Sequence, residues 1–217
     1  IHMRYLLLAL ALWLPLSLQA AEKLQVVTSF SILADLTQAI GGKHIELVNL
    51  VGADEDAHVF EPNPEHAKAL LKADLIIANG LGFEPWLERL LDSSEARGTR
   101  IDASAGVLPL LLIEHGHSVP DPHAWHNLAN TELYIANITK ALIAADPANK
   151  ADYQRNSQTY LKQIYALLAD AKAKLGSLPP GNRKIVTSHD AFGYLGQAYG
   201  IDFIAPQGLS TEREPSA

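Results

Sequence analysis

The sequence predicts an α/β fold: one parallel-sheet lobe, a long rigid helix, and a second α/β lobe that is incomplete within these 217 residues. Three observations predict it. Short apolar runs suited to buried strands alternate with amphipathic stretches at helical spacing through the first half. An unbroken helical pattern of roughly 27 residues follows Asp146-Pro147. A new strand pattern begins only beyond Pro179-Pro180-Gly181, where the remaining chain is too short for a core of its own.

Taken in order, Leu24 to Thr28 reads as a buried strand. Ser29 or Ser31 then caps a helix with apolar positions Ile32, Leu33, Leu36 and Ile40, which Gly41-Gly42 stops. Ile45 to Val51 is a second strand. Asn63-Pro64 opens a helix with Ala67, Leu70 and Leu71 on its apolar face. Leu75 to Ala78 is a third strand, Asn79-Gly80-Leu81-Gly82 turns into a helix from Glu84 to Leu91, and Arg100 to Asp102 is a short fourth strand. This rhythm gives a Rossmann-like parallel sheet with helices packed on it, and ligands bind such sheets beyond the carboxyl ends of the strands.

Gly116, Pro120 and Pro122 make Glu114 to Pro122 a loop, with His115 and His117 in it as a solvated patch or as accessory metal capture. Asn130-Thr131-Glu132 opens a helix to about Ala145, and Asp146-Pro147 both ends it and starts the next. That long helix has the face Tyr153, Tyr160, Leu161, Ile164, Tyr165, Leu168 and Leu175. At 1.5 Å per residue it spans about 40 Å. It is read as a rigid backbone reaching from one lobe into another, against the alternative of an ordinary packing helix. Lys184 to Ser188 is an all-buried strand ending at His189; Phe192, Leu195 and Ala198 form a helix face; Phe203 to Ala205 is a further strand; and Glu214-Pro215 opens another helix. The 42 residues from Gly176 to Ala217 are too few for an independent core, so a substantial piece of the second lobe is expected to be missing.

At the other end, Ile1-His2 reads as a cloning scar ahead of Met3. Arg4, the apolar run Tyr5 to Leu18 and the small residues Ala20 and Ala21 read as a secretory signal peptide, too short to cross a bilayer comfortably. The expected division is therefore signal peptide 1–21, metal-binding lobe 22–146, linking helix 147–176 and start of the second lobe 177–217. The net charge of −7, with no Lys/Arg cluster interleaved with aromatics, argues against nucleic-acid and anionic-membrane partners. The absence of cysteine excludes disulfides, thiolate metal sites and an N-terminal lipid on cysteine, so the expectation is an exported acidic protein without a lipid anchor.

Histidine and carboxylate are then the available metal ligands. His58, His123 and His189 each stand where the backbone changes direction, in Asp54-Glu55-Asp56-Ala57-His58-Val59-Phe60-Glu61-Pro62, Asp121-Pro122-His123-Ala124-Trp125-His126 and Val186-Thr187-Ser188-His189-Asp190-Ala191-Phe192. They lie 65 and 66 positions apart, so only folding can gather them. Three neutral imidazoles plus one carboxylate or water complete a four-coordinate shell for zinc or a first-row neighbour. Glu61, Asp121 and Asp190 are the candidates to orient ring nitrogens from behind. An open water position on three histidines also describes catalytic zinc, so a hydrolase or hydratase is the rival reading, and the same three acids are its candidate bases.

These residues resemble the periplasmic zinc/manganese-binding proteins of ABC importers. The resemblance runs from about Leu24 to the end of the chain. It is carried by His58-Val59-Phe60-Glu61-Pro62, Asn79-Gly80-Leu81-Gly82-Phe83-Glu84-Pro85-Trp86, Asp121-Pro122-His123-Ala124-Trp125 and Thr187-Ser188-His189-Asp190-Ala191-Phe192-Gly193-Tyr194. It implies two α/β lobes joined by one long rigid helix, His58, His123 and His189 as the metal ligands, and a monomeric carrier that performs no chemistry itself. It implies delivery to an inner-membrane permease, with a zinc chaperone as a second candidate partner. A histidine at the third position is similar to the zinc-type members, so Zn2+ is the expected cargo and Mn2+ the alternative. His126 stands where relatives commonly have Leu, either as a solvent-facing substitution or as an extra ligand. The acidic fourth ligand that the family draws from its second lobe has no counterpart in this sequence. The long helix is expected to limit hinge opening, and protons are expected to displace the metal as pH falls through the imidazole range near 6.5.

Overall fold

The computed structural model describes residues 22–53, 55–114 and 116–206; the predicted signal peptide, His115 and the helix start at Glu214 lie outside them. Strand β1 (Leu24–Phe30) leads into helix α1 (Ser31–Gly41), and β2 (Ile45–Val51) into α2 (Pro64–Lys72). They are followed by β3 (Leu75–Ala78), α3 (Leu87–Ser94) and β4 (Thr99–Asp102). The four strands form one sheet in the order β2-β1-β3-β4, every pairing parallel. Both faces of its centre are covered, and Val26, Val27, Leu75, Ile76 and Ile77 are buried, as the continuous apolar runs require of parallel strands.

Helix α1 buries Leu33, Leu36, Thr37 and Ile40, the i, i+3, i+4, i+7 stripe of a helix lying on a sheet, while Ile32 turns outward. Neither serine caps it. Strand β1 runs two residues further than the sequence predicts, and the Ser29 hydroxyl is spent on Glu84 at 2.5 Å, leaving Phe30 as an N-cap without a side-chain bond. Helix α2 starts as predicted. Asn63 Oδ1 accepts the N–H groups of Glu65 and His66, and His66 Nδ1 accepts the N–H of Asn63 in return, a reciprocal capping box. On its face Leu70 is buried but Leu71 is exposed.

The turn after β3 departs most from the local pattern. Gly80, Leu81 and Gly82 all have positive φ, near 83°, 57° and 80°. For Leu81 the left-handed conformation costs about 1–2 kcal/mol. Glu84 holds the turn: its Oε1 accepts the N–H of Asn79 at 2.6 Å and its Oε2 that of Gly80 at 3.3 Å. With its side chain folded back into the turn, Glu84 does not start a helix, and α3 begins at Leu87 instead.

A hairpin follows where a loop is predicted: β5 (Leu111–Glu114) pairs antiparallel with β6 (His117–Pro120), turning at Gly116 with φ near 79°. Leu111 and Ile113 alternate with Leu112, a two-residue period that the proline and glycine content masks. Helix α4 (Leu128–Ala145) starts two residues before the predicted opening, because the Asn127 side chain caps it through the N–H of Ala129 at 3.0 Å. After a 3-10 turn at Pro147–Asn149 comes α5 (Lys150–Gly176), 27 residues long. Asp146 fixes the bend between them by accepting from the Tyr153 hydroxyl at 2.6 Å and from Asn149 at 2.7 Å.

The first part of α5 packs on α1 and α4 through Tyr153, Ser157 and Ile164, while Tyr165 and Leu167 are exposed. Beyond it lie β7 (Lys184–Val186), α6 (Gly193–Tyr199) and β8 (Asp202–Ile204), with β7 and β8 parallel. Strand β7 is short and exposed rather than all buried, since among the described residues it has one neighbouring strand and one following helix. The buried face of α6 is Tyr194 and Tyr199; Ala198 is outward. No helix among the described residues is long and apolar enough to cross a membrane.

Candidate metal centre

Three loops meet beyond the carboxyl ends of the strands, in a cavity of about 580 Å3 lined by His58, His123 and His189 with Phe30, Phe83 and Trp125. His58 lies in the connection after β2, His123 follows β6, and His189 follows β7. One donor nitrogen from each lies within 4.8 Å of the others. His58 Nε2 and His123 Nε2 are 3.1 Å apart. Ligands on a tetrahedral zinc ion at 2.0–2.1 Å stand about 3.3 Å from one another. The His58–His123 pair already stands near that spacing, and His189 has at most about 1.5 Å to close for all three to share one ion.

Each loop is held by specific bonds. Asp56 Oδ1 accepts the backbone N–H of His58 at 2.9 Å, and the Trp86 indole N–H donates to the carbonyl of Ala57 at 2.7 Å. Asp121 Oδ1 accepts both the backbone N–H of His123 at 2.9 Å and its Nδ1–H at 2.8 Å. That second bond sets the tautomer: with the proton on Nδ1, Nε2 presents a lone pair to the cavity. Asp121 and His123 are both buried. From the β3 side, Asn79 Nδ2 donates to the carbonyl of Pro122 at 2.9 Å, and Asn79 Oδ1 accepts from the Tyr134 hydroxyl at 2.7 Å. The Glu84 turn thereby fixes the segment that carries His123.

The aromatic rings keep water from the back of the site. Phe83 lies 4.8 Å from the His58 ring, edge-on, and Trp125 lies 5.4 Å from His123. Burial, reinforced by the charge of His123, lowers the pKa of His58 to about 4. Burial and then His123 lower that of His189 as well. Both effects favour the neutral imidazole that a metal requires.

The predicted ligand residues converge, but the surrounding candidates divide. Asp121 stands behind His123. Asp190 is half-buried beside His189, and burial followed by the charge of Asp121 raises its pKa. Glu61 is exposed and does not line the cavity, because Phe60, packed on Trp86 and His66, turns the chain outward there. His117 is exposed on β6, away from the cavity lining. His126 is not solvent-facing: it lines the cavity with its ring 4.6 Å from Phe192 and 5.3 Å from Trp125, and burial lowers its pKa to about 4. Its nitrogens are outside the cluster formed by the other three. Asp56, Asn79 and Glu84 support the site without having been singled out for it. Asp56 was findable, since Asp56-Ala57-His58 and Asp121-Pro122-His123 share one Asp-x-His spacing and one backbone bond.

The chain is 33% identical to a putative metal-binding protein of Treponema pallidum, with 98% of this chain and 71% of that protein covered. It is 36% identical to the manganese ABC transporter substrate-binding lipoprotein PsaA of Streptococcus pneumoniae, covering 91% and 66%. Among solved structures it is similar to the periplasmic zinc binding protein TroA from Treponema pallidum, with a TM-score of 0.84 at 30% identity, covering 90% of this chain and 71% of that one. The chain thus spans about two thirds of the length of the curated relatives it matches. Residues 26–217 match the family described as zinc-uptake complex component A, periplasmic, and the chain belongs to that family.

Proposed function

We propose that the protein captures a divalent transition metal, zinc in the first instance and manganese as the alternative, in the periplasm and hands it to an ABC importer permease. The observation that carries this reading is the convergence of His58, His123 and His189, one nitrogen of each within 4.8 Å of the others. Three imidazoles suit zinc better than the harder manganese ion. A water or a carboxylate supplies the fourth position. An ion bound there sits against aromatic walls, exchanging its water shell for nitrogens already facing it. Catalysis would need a free base beside a metal-bound water, yet Asp121 is engaged by His123, and neither Glu61 nor Asp190 lines the cavity.

Calorimetric titration of the purified chain with zinc and with manganese tests the reading. One zinc per chain, bound more tightly than manganese, is the expected result; no uptake, or turnover of ester or CO2 by the zinc-loaded protein, would overturn it. Acid should release the ion, but later than for a free imidazole. Because burial holds the pKa of His58 near 4 rather than 6.5, its nitrogen stays available as the pH falls through 6.5, and its share of the loss begins only near pH 4. The metal-free fold follows the same sign. A depressed histidine pKa gives stability that is full above about 6.5 and lost as pH falls toward 4, because the unfolded chain takes up the proton first. Zinc affinity and thermal midpoint measured from pH 7.5 to 4 check both, and a metal-affinity loss complete by pH 6 would contradict the assignment.

Metal is proposed to order the loops around His58 and His123 rather than to rotate whole lobes, since α5 is continuous and packed on α1 and α4. Small-angle scattering of the metal-free and metal-loaded chain should give closely similar radii of gyration. A large decrease on loading would sink the idea.

A further inference from the structure

Helix α6 is the first helix after His189, and its Tyr194 is buried to 2% exposure. The Tyr194 hydroxyl accepts the backbone N–H of Leu110 at 3.0 Å and donates to the backbone carbonyl of Asp121 at 2.8 Å. Asp121 is the residue whose carboxylate holds His123 Nδ1. The neighbouring Gly193 lies against the other oxygen of that carboxylate; a Cβ there would stand 3.1 Å from Oδ2. Helix α6 therefore meets Asp121 at its carbonyl and at its side chain together.

Burial of a tyrosine on this helix does not by itself demand such bonds. Tyr199, on the same helix and also buried, has a hydroxyl without a hydrogen-bond partner among the described residues. At Tyr194 both the donor and the acceptor capacity of the phenol are used, and both bonds go to the segment on either side of the β5–β6 hairpin. A phenylalanine would fill the ring's space but leave the N–H of Leu110 and the carbonyl of Asp121 without their partner.

We propose that Tyr194 is a positioning residue of the metal site, whose hydroxyl fastens the segment bearing His189 to the segment bearing His123 before the ion arrives. The purpose assigned to the bond rests on the capture reading; its geometry does not. The latch spares the ion the cost of bringing the two segments together, so removing it should weaken binding without touching any ligand.

The test compares wild type, Tyr194→Phe and Tyr153→Phe. The last removes a buried hydroxyl that donates to Asp146 at the α4–α5 bend, in neither histidine segment. Zinc affinity is measured by chelator competition, and the His123 Nδ1–H proton is followed by NMR in the metal-free chain. Tyr194→Phe should weaken zinc binding roughly 3- to 10-fold, the worth of one net hydrogen bond, and shift or broaden the His123 resonance. Tyr153→Phe should lower the thermal midpoint and change neither readout. Unchanged affinity with an unmoved resonance in Tyr194→Phe, or equal losses in Tyr153→Phe, would overturn the proposal. If wild type takes up no zinc, the capture reading fails, and the metal-free resonance still decides whether Tyr194 holds the His123 segment.

Discussion

Replacing His123 with alanine is expected to weaken zinc binding by more than about 100-fold, while His44→Ala and His66→Ala leave the affinity unchanged. The lower bound follows from the 10- to 100-fold loss typical when only a residue behind a ligand is removed; deleting a donor itself exceeds that. Expressed as free energy it is at least about 2.7 kcal/mol. His123 is the pivotal case because its ring lies within 5.2 Å of the His58 ring and 5.5 Å of the His189 ring. Without it, two half-buried imidazoles remain with no third nitrogen between them.

The two control histidines have other work. His44 Nε2 pairs with Asp152 at 2.7 Å, tying the turn between α1 and β2 to the start of α5, and His66 completes the cap of α2. Their loss should appear in the thermal midpoint instead. Calorimetry on the three variants decides the matter: equal zinc affinities for all three would remove His123 from the site.

Much of this arrangement was legible in the chain because it is written in local chemistry. The parallel sheet follows from apolar runs such as Leu75 to Ala78, which need no knowledge of their neighbours. The 27-residue α5 follows from periodicity and from Pro147 ahead of it. The three histidines were legible because each stands in a connection beyond a strand, where the backbone changes direction. What failed to show was decided by contacts distant in sequence. Ser29 looks like a cap until Glu84, 55 positions away, takes its hydroxyl, and the same event delays α3 to Leu87. His126 looks like a surface residue until Phe192 packs on it from beyond α5. Glu61, close to His58 in sequence, is carried outward by the packing of Phe60, whereas Asp56, on the other side, is held in by the backbone it caps. Adjacency in sequence thus misjudged which acid serves His58, and the repeated Asp-x-His spacing would have judged it correctly.

Removing the carboxylates of Asp121 and of Glu61 should have unequal effects. Asp121 bonds both the backbone and the ring of His123. Asp121→Asn keeps the volume and the backbone bond but replaces a charge with a neutral amide, which no longer raises the basicity of the ring and no longer enforces the Nδ1–H tautomer. A loss of about 10- to 100-fold in zinc affinity is expected, the range found for carboxylates that orient metal-bound histidines. Glu61→Gln, changing an exposed carboxylate outside the cavity, should lose nothing. Competition titrations with a zinc chelator resolve the difference, and the His123 Nδ1–H resonance identifies its origin. In Asp121→Asn that proton should move upfield as its partner loses charge. An affinity loss without that movement would mean that Asp121 acts on the site by some route other than the ring of His123.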